Sequence, residues 1–131
     1  MQQMAVACGR IATVSVHQHR LLLLRHGETE WSRSGRHTGR TDLELLDIGR
    51  DQARLAAAAL TELQLSDPVV ISSPRRRALE TAELAGLTVT DVSPDLAEWD
   101  YGDYEGLTTP QIRETVPGWT VWTHDCPGGE S

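Results

Sequence analysis

The first strong hydrophobic signal along the chain is Leu21-Leu22-Leu23-Leu24, a short apolar run with no polar alternation. That pattern predicts a strand buried on both faces, as in a parallel sheet, and Arg25-His26-Gly27 ends the run too soon for a helix. Residues 28–41 are rich in Gly, Ser, Thr and Arg and read as a long functional loop. Asp47 then stands as a helix N-cap. From Ile48 onward Leu55, Ala56, Ala59, Leu60 and Leu63 recur at helical spacing, which predicts a helix to about Gln64. Ser66-Asp67-Pro68 breaks it, and Val69-Val70-Ile71 follows as a second strand, again without alternation. Ser73 caps a second helix with Pro74 at its first position; Ala78, Leu79, Ala82 and Ala85 form its apolar face and Gly86 ends it. Residues 87–92 make a third strand, and residues 110–116 a further short helix.

Strand, helix, strand, helix, strand is the signature of an α/β fold with a mostly parallel sheet. A length of 131 residues without internal repeats or linkers gives one domain. Residues 1–19 are expected to be a disordered N-terminal extension. Met4 to Cys8 is apolar but short, and Arg10 follows it rather than preceding it, unlike a signal peptide; the expected location is the cytoplasm. No run of about 18 apolar residues exists, so no membrane span is expected. The net charge of −7 argues against a general nucleic-acid binder, which needs a basic surface to neutralise phosphates. Two cysteines, Cys8 and Cys126, cannot build a disulfide scaffold, and no Cys/His cluster has zinc-ligand spacing. All 12 basic residues are arginines, and with no phenylalanine the core falls to leucine, valine, alanine and four tryptophans.

In parallel α/β sheets ligands bind outside the carboxyl ends of the strands. Here the first strand ends in Arg25-His26-Gly27 and the second in Ser72-Ser73-Pro74 followed by three arginines. A histidine directly after a buried strand is held rigidly, and Gly27 allows a ligand close to the backbone. An imidazole nitrogen can attack phosphorus and split one difficult transfer into two easier ones. A neighbouring arginine would hold the phosphoryl oxygens through paired, planar hydrogen bonds. Taken alone, His26 reads more readily as a satisfied histidine at a strand end. Arg77 shifts that balance, because it lies in the first turn of a helix, where free N–H groups and the dipole favour anions. Arg75 and Arg76 read as a solvated basic face, with Arg76 and Glu80 paired four apart. Glu98, beside apolar Trp99, is a candidate acid for protonating a leaving oxygen. Asp100, Asp103 and Glu105 lack calcium-loop spacing, so a metal site is set aside.

The tract from Leu23 to Trp31 resembles the signature of the histidine phosphatase superfamily, in its phosphoglycerate mutase-like branch. Ser72-Ser73-Pro74-Arg75-Arg76-Arg77-Ala78-Leu79-Glu80-Thr81-Ala82 is similar to its second motif, and Glu98 with Tyr101-Gly102 and Glu105-Gly106 to its third. Residues 96–114 most resemble a mycobacterial-type acid phosphatase. The resemblance covers residues 20–131 and implies a three-layer α/β/α fold. It implies His26 as the phosphorylated nucleophile, Arg25 and Arg77 as the phosphate clamp, and Glu98 as proton donor and acceptor. Thr38 and Gly39 fall where the family's loop contacts substrate, and Ser32 falls where many members carry asparagine. The implied reaction uses no metal and no dissociable cofactor. Its partner is a small phosphorylated metabolite, without nucleic acid or membrane, and a homodimer is a permitted assembly.

The family builds its phosphate pocket from two histidines, the second in a His-Gly pair at the end of a later strand. Residues 127–131 look like the segment preceding that strand, His124 lies before it, and the family counterpart of His37 is not catalytic. These residues are therefore expected to be the N-terminal portion of a longer enzyme or a truncated gene product. The leading expectation is phosphomonoester hydrolysis through phosphohistidine, with an acid-side optimum. A mutase would need further cationic groups, and the absence of lysine tilts against it. A catalytically inert anion-binding fragment is the reading from another class, with Trp119 and Trp122 as its exposed end.

Overall fold

The computed structural model describes residues 11–16 and 19–131, with side chains described from Arg20 onward. Strand β1 (Ile11–Val16) pairs antiparallel with β2 (His19–Leu24), placing Ile11 opposite Leu24 and Val16 opposite His19. The expectation of a disordered extension over residues 1–19 falls largely outside the described residues, but Ile11–Val16 is a strand. Its signal was the β-branched set Ile11, Thr13, Val14 and Val16, which suits a pleated surface. The pairing also corrects the reading of the four leucines. Leu22 and Leu24 pack on the core, whereas Leu21 and Leu23 are 56% and 53% exposed, so β2 has one buried face rather than two.

After a short helix α1 (Glu30–Ser34), the long helix α2 (Asp47–Glu62) begins one residue earlier than read, with Leu46 in the cap position. Asp47 is not the cap: its carboxylate accepts from Arg50 at 3.0 Å. Strand β3 (Ile71–Ser72) and strand β4 (Asp91–Val92) pair in parallel, Ile71 opposite Asp91. Both are shorter than their apolar runs suggest. At their start the Thr90 hydroxyl accepts from the Val70 N–H at 3.0 Å, so a side chain replaces one rung of the ladder. Helix α3 (Arg76–Leu84) lies between them in sequence, and Gly86 at φ 75° turns the chain out of it as expected. Arg75 rather than Ser73 stands in the cap position of this helix and Pro74 lies before it, the Ser73 hydroxyl accepting from the Arg75 N–H at 3.3 Å in the turn that leads in.

Helices α2 and α3 pack against one face of β2. Ala56, Leu60 and Ala85 are buried there, with Leu22, Leu24, Ala59, Leu63 and Leu87 around them. Small alanines at helical spacing let the two helices approach closely. A second cluster of Tyr101, Ile112, Trp119 and Cys126 is closed by helix α4 (Thr109–Thr115), whose N-terminus carries a capping box of Thr108 and Gln111. Trp119 is buried in that cluster, while Trp122 is exposed. The architecture is α/β, with two two-stranded sheets among the described residues rather than one continuous parallel sheet. No ladder joins β2 to β3; between them opens a cleft of about 620 Å3. No helix among the described residues is long and apolar enough to cross a membrane.

Candidate active site

The chain leaves β2 at Arg25 and turns at Gly27, and this elbow is pinned from two sides. The Gly27 N–H donates to the Thr81 hydroxyl at 3.0 Å, and that hydroxyl donates to the Arg77 carbonyl at 2.7 Å. The elbow thus rests on helix α3. On its other side the backbone of α2 presses against it. A Cβ on Gly27 would stand 2.3 Å from the Gly49 carbonyl oxygen, and one on Gly49 would stand 2.2 Å from the Glu28 carbonyl oxygen. Gly27 was expected to admit a ligand; what it admits is the first turn of α2. The Glu28 N–H completes the junction by donating to Gln52 Oε1 at 2.9 Å.

His26 follows from this rigidity. Its Nδ1 lies 2.7 Å from the Gly27 carbonyl oxygen. A carbonyl only accepts, so Nδ1 carries the proton and Nε2 keeps a lone pair. His26, Arg25, Arg75, Arg77 and Glu98 all line the cleft between β2 and β3. Glu98 is exposed, its Oε1 accepts from the Trp99 N–H at 3.1 Å, and the indole of Trp99 packs into the second cluster. The apolar shelter expected from Trp99 is therefore not what surrounds the carboxylate. Arg75, read as part of a solvated face, is half-buried at the cleft. Arg76 does stay exposed, but it pairs with Glu44 at 3.2 Å, and Glu80 takes Arg50 at 2.6 Å instead.

Arg77 is 2% exposed and donates Nη1–H to the Thr41 carbonyl at 2.9 Å and Nη2–H to those of Thr38 and Gly39 at 3.1 and 3.3 Å. Thr38 and Gly39 were expected at substrate; in the structure their carbonyls hold the arginine, and neither lines the cleft. Ser32, also expected at substrate, is spent on a cap. Its hydroxyl accepts from the Thr29 N–H at 2.9 Å, and its own N–H donates to the Thr29 hydroxyl at 3.2 Å. That capping box fixes α1, and Ser32 does not line the cleft.

Burial pushes the His26 pKa below its ordinary 6.5, and the positive charges of Arg77 and Arg25 add to that, against a raising effect of the Gly27 hydrogen bond and of Glu98. His37 is lowered as well, again by burial: its ring stacks 4.6 Å from Tyr101 and meets Trp119 edge-on at 5.2 Å. Burial also lowers Arg77, and Arg75 adds to the effect. Both histidines therefore bind protons less readily in the folded chain than in the unfolded one, and stability falls as pH drops from 6.5 through their folded values. Urea midpoints at a series of pH values are expected to decline on the acid side of 6.5, and imidazole NMR titrations of both residues to give midpoints below it.

Comparison with known proteins bears on this arrangement. The family model of the histidine phosphatase superfamily (branch 1) matches residues 21–131. The chain belongs to this superfamily. It is 69% identical over 118 residues to an acid phosphatase of Mycobacterium tuberculosis, covering 90% of this chain and 58% of that protein. It is 36% identical to the sedoheptulose 1,7-bisphosphatase of Saccharomyces cerevisiae, covering 86% of this chain and 49% of that one. A solved structure of a Mycobacterium tuberculosis open reading frame superimposes with a TM-score of 0.86 at 70% identity, over 88% of this chain and 60% of that chain. The chain thus spans about half to three-fifths of the length of these relatives.

Within this histidine phosphatase chain, sequence reasoning missed three residues on which the site's geometry depends. Thr81 links the His26 elbow to the Arg77 helix; it stood in the second motif one turn after Arg77, with no role read for it. Gly49 makes the close approach to Gly27, and an isolated glycine early in a helix was the available clue. Glu105 stood in the third motif and in the acidic run, where it was weighed as a metal ligand, and no contact with the 38–41 loop was read for it. Its carboxylate instead accepts from the Gly39 N–H at 2.9 Å and the Thr41 N–H at 2.9 Å. Asp100, from the same run, pairs with Arg40 at 2.7 Å.

Proposed function

We propose that these residues form the phosphoryl-transfer centre of a phosphomonoester hydrolase acting on a small phosphorylated metabolite. The observation that carries this reading is His26: its Nδ1–H is committed to the Gly27 carbonyl, which leaves the lone pair on Nε2, and the residue lines a cleft together with Arg25, Arg77 and Glu98. In the first step Nε2 attacks phosphorus, the bond from phosphorus to the ester oxygen breaks, and Glu98 gives its proton to the departing oxygen. In the second, water attacks the phosphohistidine, its proton passes to the Glu98 carboxylate, and phosphate leaves with His26 restored. Arg25 and the Arg77 donors not bound to the loop stabilise charge on the transferring oxygens. A histidine whose pKa is lowered keeps its lone pair into the acid range, which supports an acid-side optimum. The names of the relatives, an acid phosphatase and a sugar bisphosphatase, support the same substrate class.

The test is to mix the chain with a small aryl phosphate, quench in alkali, where phosphohistidine survives, and map the modified peptide by mass spectrometry. A phosphoryl group on His26 that is lost to water on standing is the expected result. Phosphate release with a label on another residue, or with no labelled intermediate, would sink the mechanism.

A further inference from the structure

The Thr38–Gly39 peptide group is gripped at both ends by opposite charges. Its N–H donates to Glu105, at 2.9 Å to Oε1 and 3.1 Å to Oε2, while its C=O accepts from Arg77 Nη2 at 3.1 Å. Two residues on, the Thr41 N–H donates to Glu105 Oε1 at 2.9 Å and the Thr41 carbonyl accepts from Arg77 Nη1 at 2.9 Å. In the 38–39 peptide a carboxylate at the N–H end and a guanidinium at the C=O end polarise the group in the same sense, so these bonds strengthen one another, while at Thr41 the same two charges hold the two adjoining peptide groups. Position 39 has no room for a side chain: a Cβ there would meet the Trp99 carbonyl oxygen at 2.2 Å and Glu105 Oε2 at 3.1 Å. No arginine is paired with Glu105 among the described residues, so its charge is directed to this loop.

We propose that Glu105 is a positioning residue for Arg77, acting through the backbone of residues 38–41. The proposal rests on the phosphoryl-transfer reading of Arg77. The guanidinium has five N–H donors. Three serve the loop, which leaves Nε–H and one Nη1–H for a phosphoryl group, and their direction is set by where the loop holds the plane. Without Glu105 the two amides lose their acceptor, residues 39–41 lose the anchor opposite Arg77, and the plane is free to turn.

The experiment uses the 131-residue chain with inorganic phosphate as probe. Glu105→Gln removes the charge at nearly constant shape. It is expected to weaken phosphate binding about ten-fold, the scale of charge-assisted hydrogen bonds that hold a donor in place. In an Arg77→Lys background, where no planar fork remains to be aimed, the same substitution is expected to change affinity by less than about two-fold. A purely structural role for Glu105 would lower affinity equally in both backgrounds, and that result overturns the proposal. Unchanged affinity on the native background overturns it too.

A second readout needs no ligand. In 15N NMR of the free chain, the Arg77 Nη1 and Nη2 groups are expected to give separate signals, which merge in Glu105→Gln as the guanidinium begins to rotate. If the native chain binds no phosphate, the phosphoryl-transfer reading falls, while the Arg77 signals still decide the role of Glu105; signals unchanged by the substitution reject it. Should Glu105→Gln fail to fold, Glu105→Asp keeps the charge on a shorter stem. It is then read in the same two measurements, with an intermediate loss expected and native values counting against the proposal.

Discussion

His26→Asn is expected to abolish phosphoryl transfer, lowering phosphate release by about 10^4- to 10^6-fold, the scale seen when a nucleophile is removed from a site whose other members remain. Asparagine is chosen because its amide N–H can occupy the place of Nδ1–H and keep the 2.7 Å contact to the Gly27 carbonyl. The elbow, its bond to Thr81 and its contact with Gly49 should then survive, so the thermal midpoint changes little. What disappears is Nε2, the one atom of that side chain with a lone pair free for phosphorus. Phosphate affinity is expected to persist, because Arg25 and Arg77 are untouched. Turnover of the variant within ten-fold of the native chain would remove His26 from the mechanism. Steady-state phosphate release, read beside a phosphate-binding isotherm, separates loss of chemistry from loss of binding.

Arg77→Lys is expected to cost nearly as much while keeping the charge: about a 10^2- to 10^3-fold fall in kcat/KM, as for removal of a fixed donor to a developing oxyanion. On the proposed reading this arginine performs two tasks at once. Its Nη atoms hold the carbonyls of Thr38, Gly39 and Thr41, and the remaining donors stay available for phosphate. A lysine ammonium has three donors at one point and no plane, so it can satisfy the loop or the anion but not both. The side chain is 2% exposed, so whichever carbonyls it abandons are left buried without a donor, and a fall in the thermal midpoint is expected beside the kinetic loss. A lysine variant with native kcat/KM and native thermal midpoint would show that neither task depends on the guanidinium.

The candidate residues His26 and Arg77 were legible because each carries a local signal. His26 follows an apolar run and Arg77 follows a strand–turn–helix junction; such junctions place side chains at strand ends whatever the rest of the fold does. Ser32, Thr38 and Gly39 were harder. Their motif positions were clear, but a hydroxyl or a backbone carbonyl has several partners within reach, near or distant in sequence, and the pattern does not choose among them. Ser32 was claimed by Thr29, three residues away, and the carbonyls of Thr38 and Gly39 by an arginine nearly 40 positions on. The four leucines failed as a two-faced strand for a related reason. Periodicity reports how apolar a segment is, while the partner strand and the helices beside it decide which faces are covered.

Taken by itself, the sequence determined the α/β class and the order β2, α2, β3, α3, β4, α4, and it brought His26, Arg25 and Arg77 forward as candidates, because short-range pattern and chain direction are sufficient for these; β1 and α1 were not read from it. Only the tertiary structure decided how those groups are held. The contact of Gly27 with Gly49, the link from Thr81 to the His26 elbow, and the two-sided grip of Glu105 and Arg77 on residues 38–41 all join positions 20 or more residues apart. Hydrogen bonds and close backbone contacts act over about 3 Å, so they exist only once folding has brought such segments together.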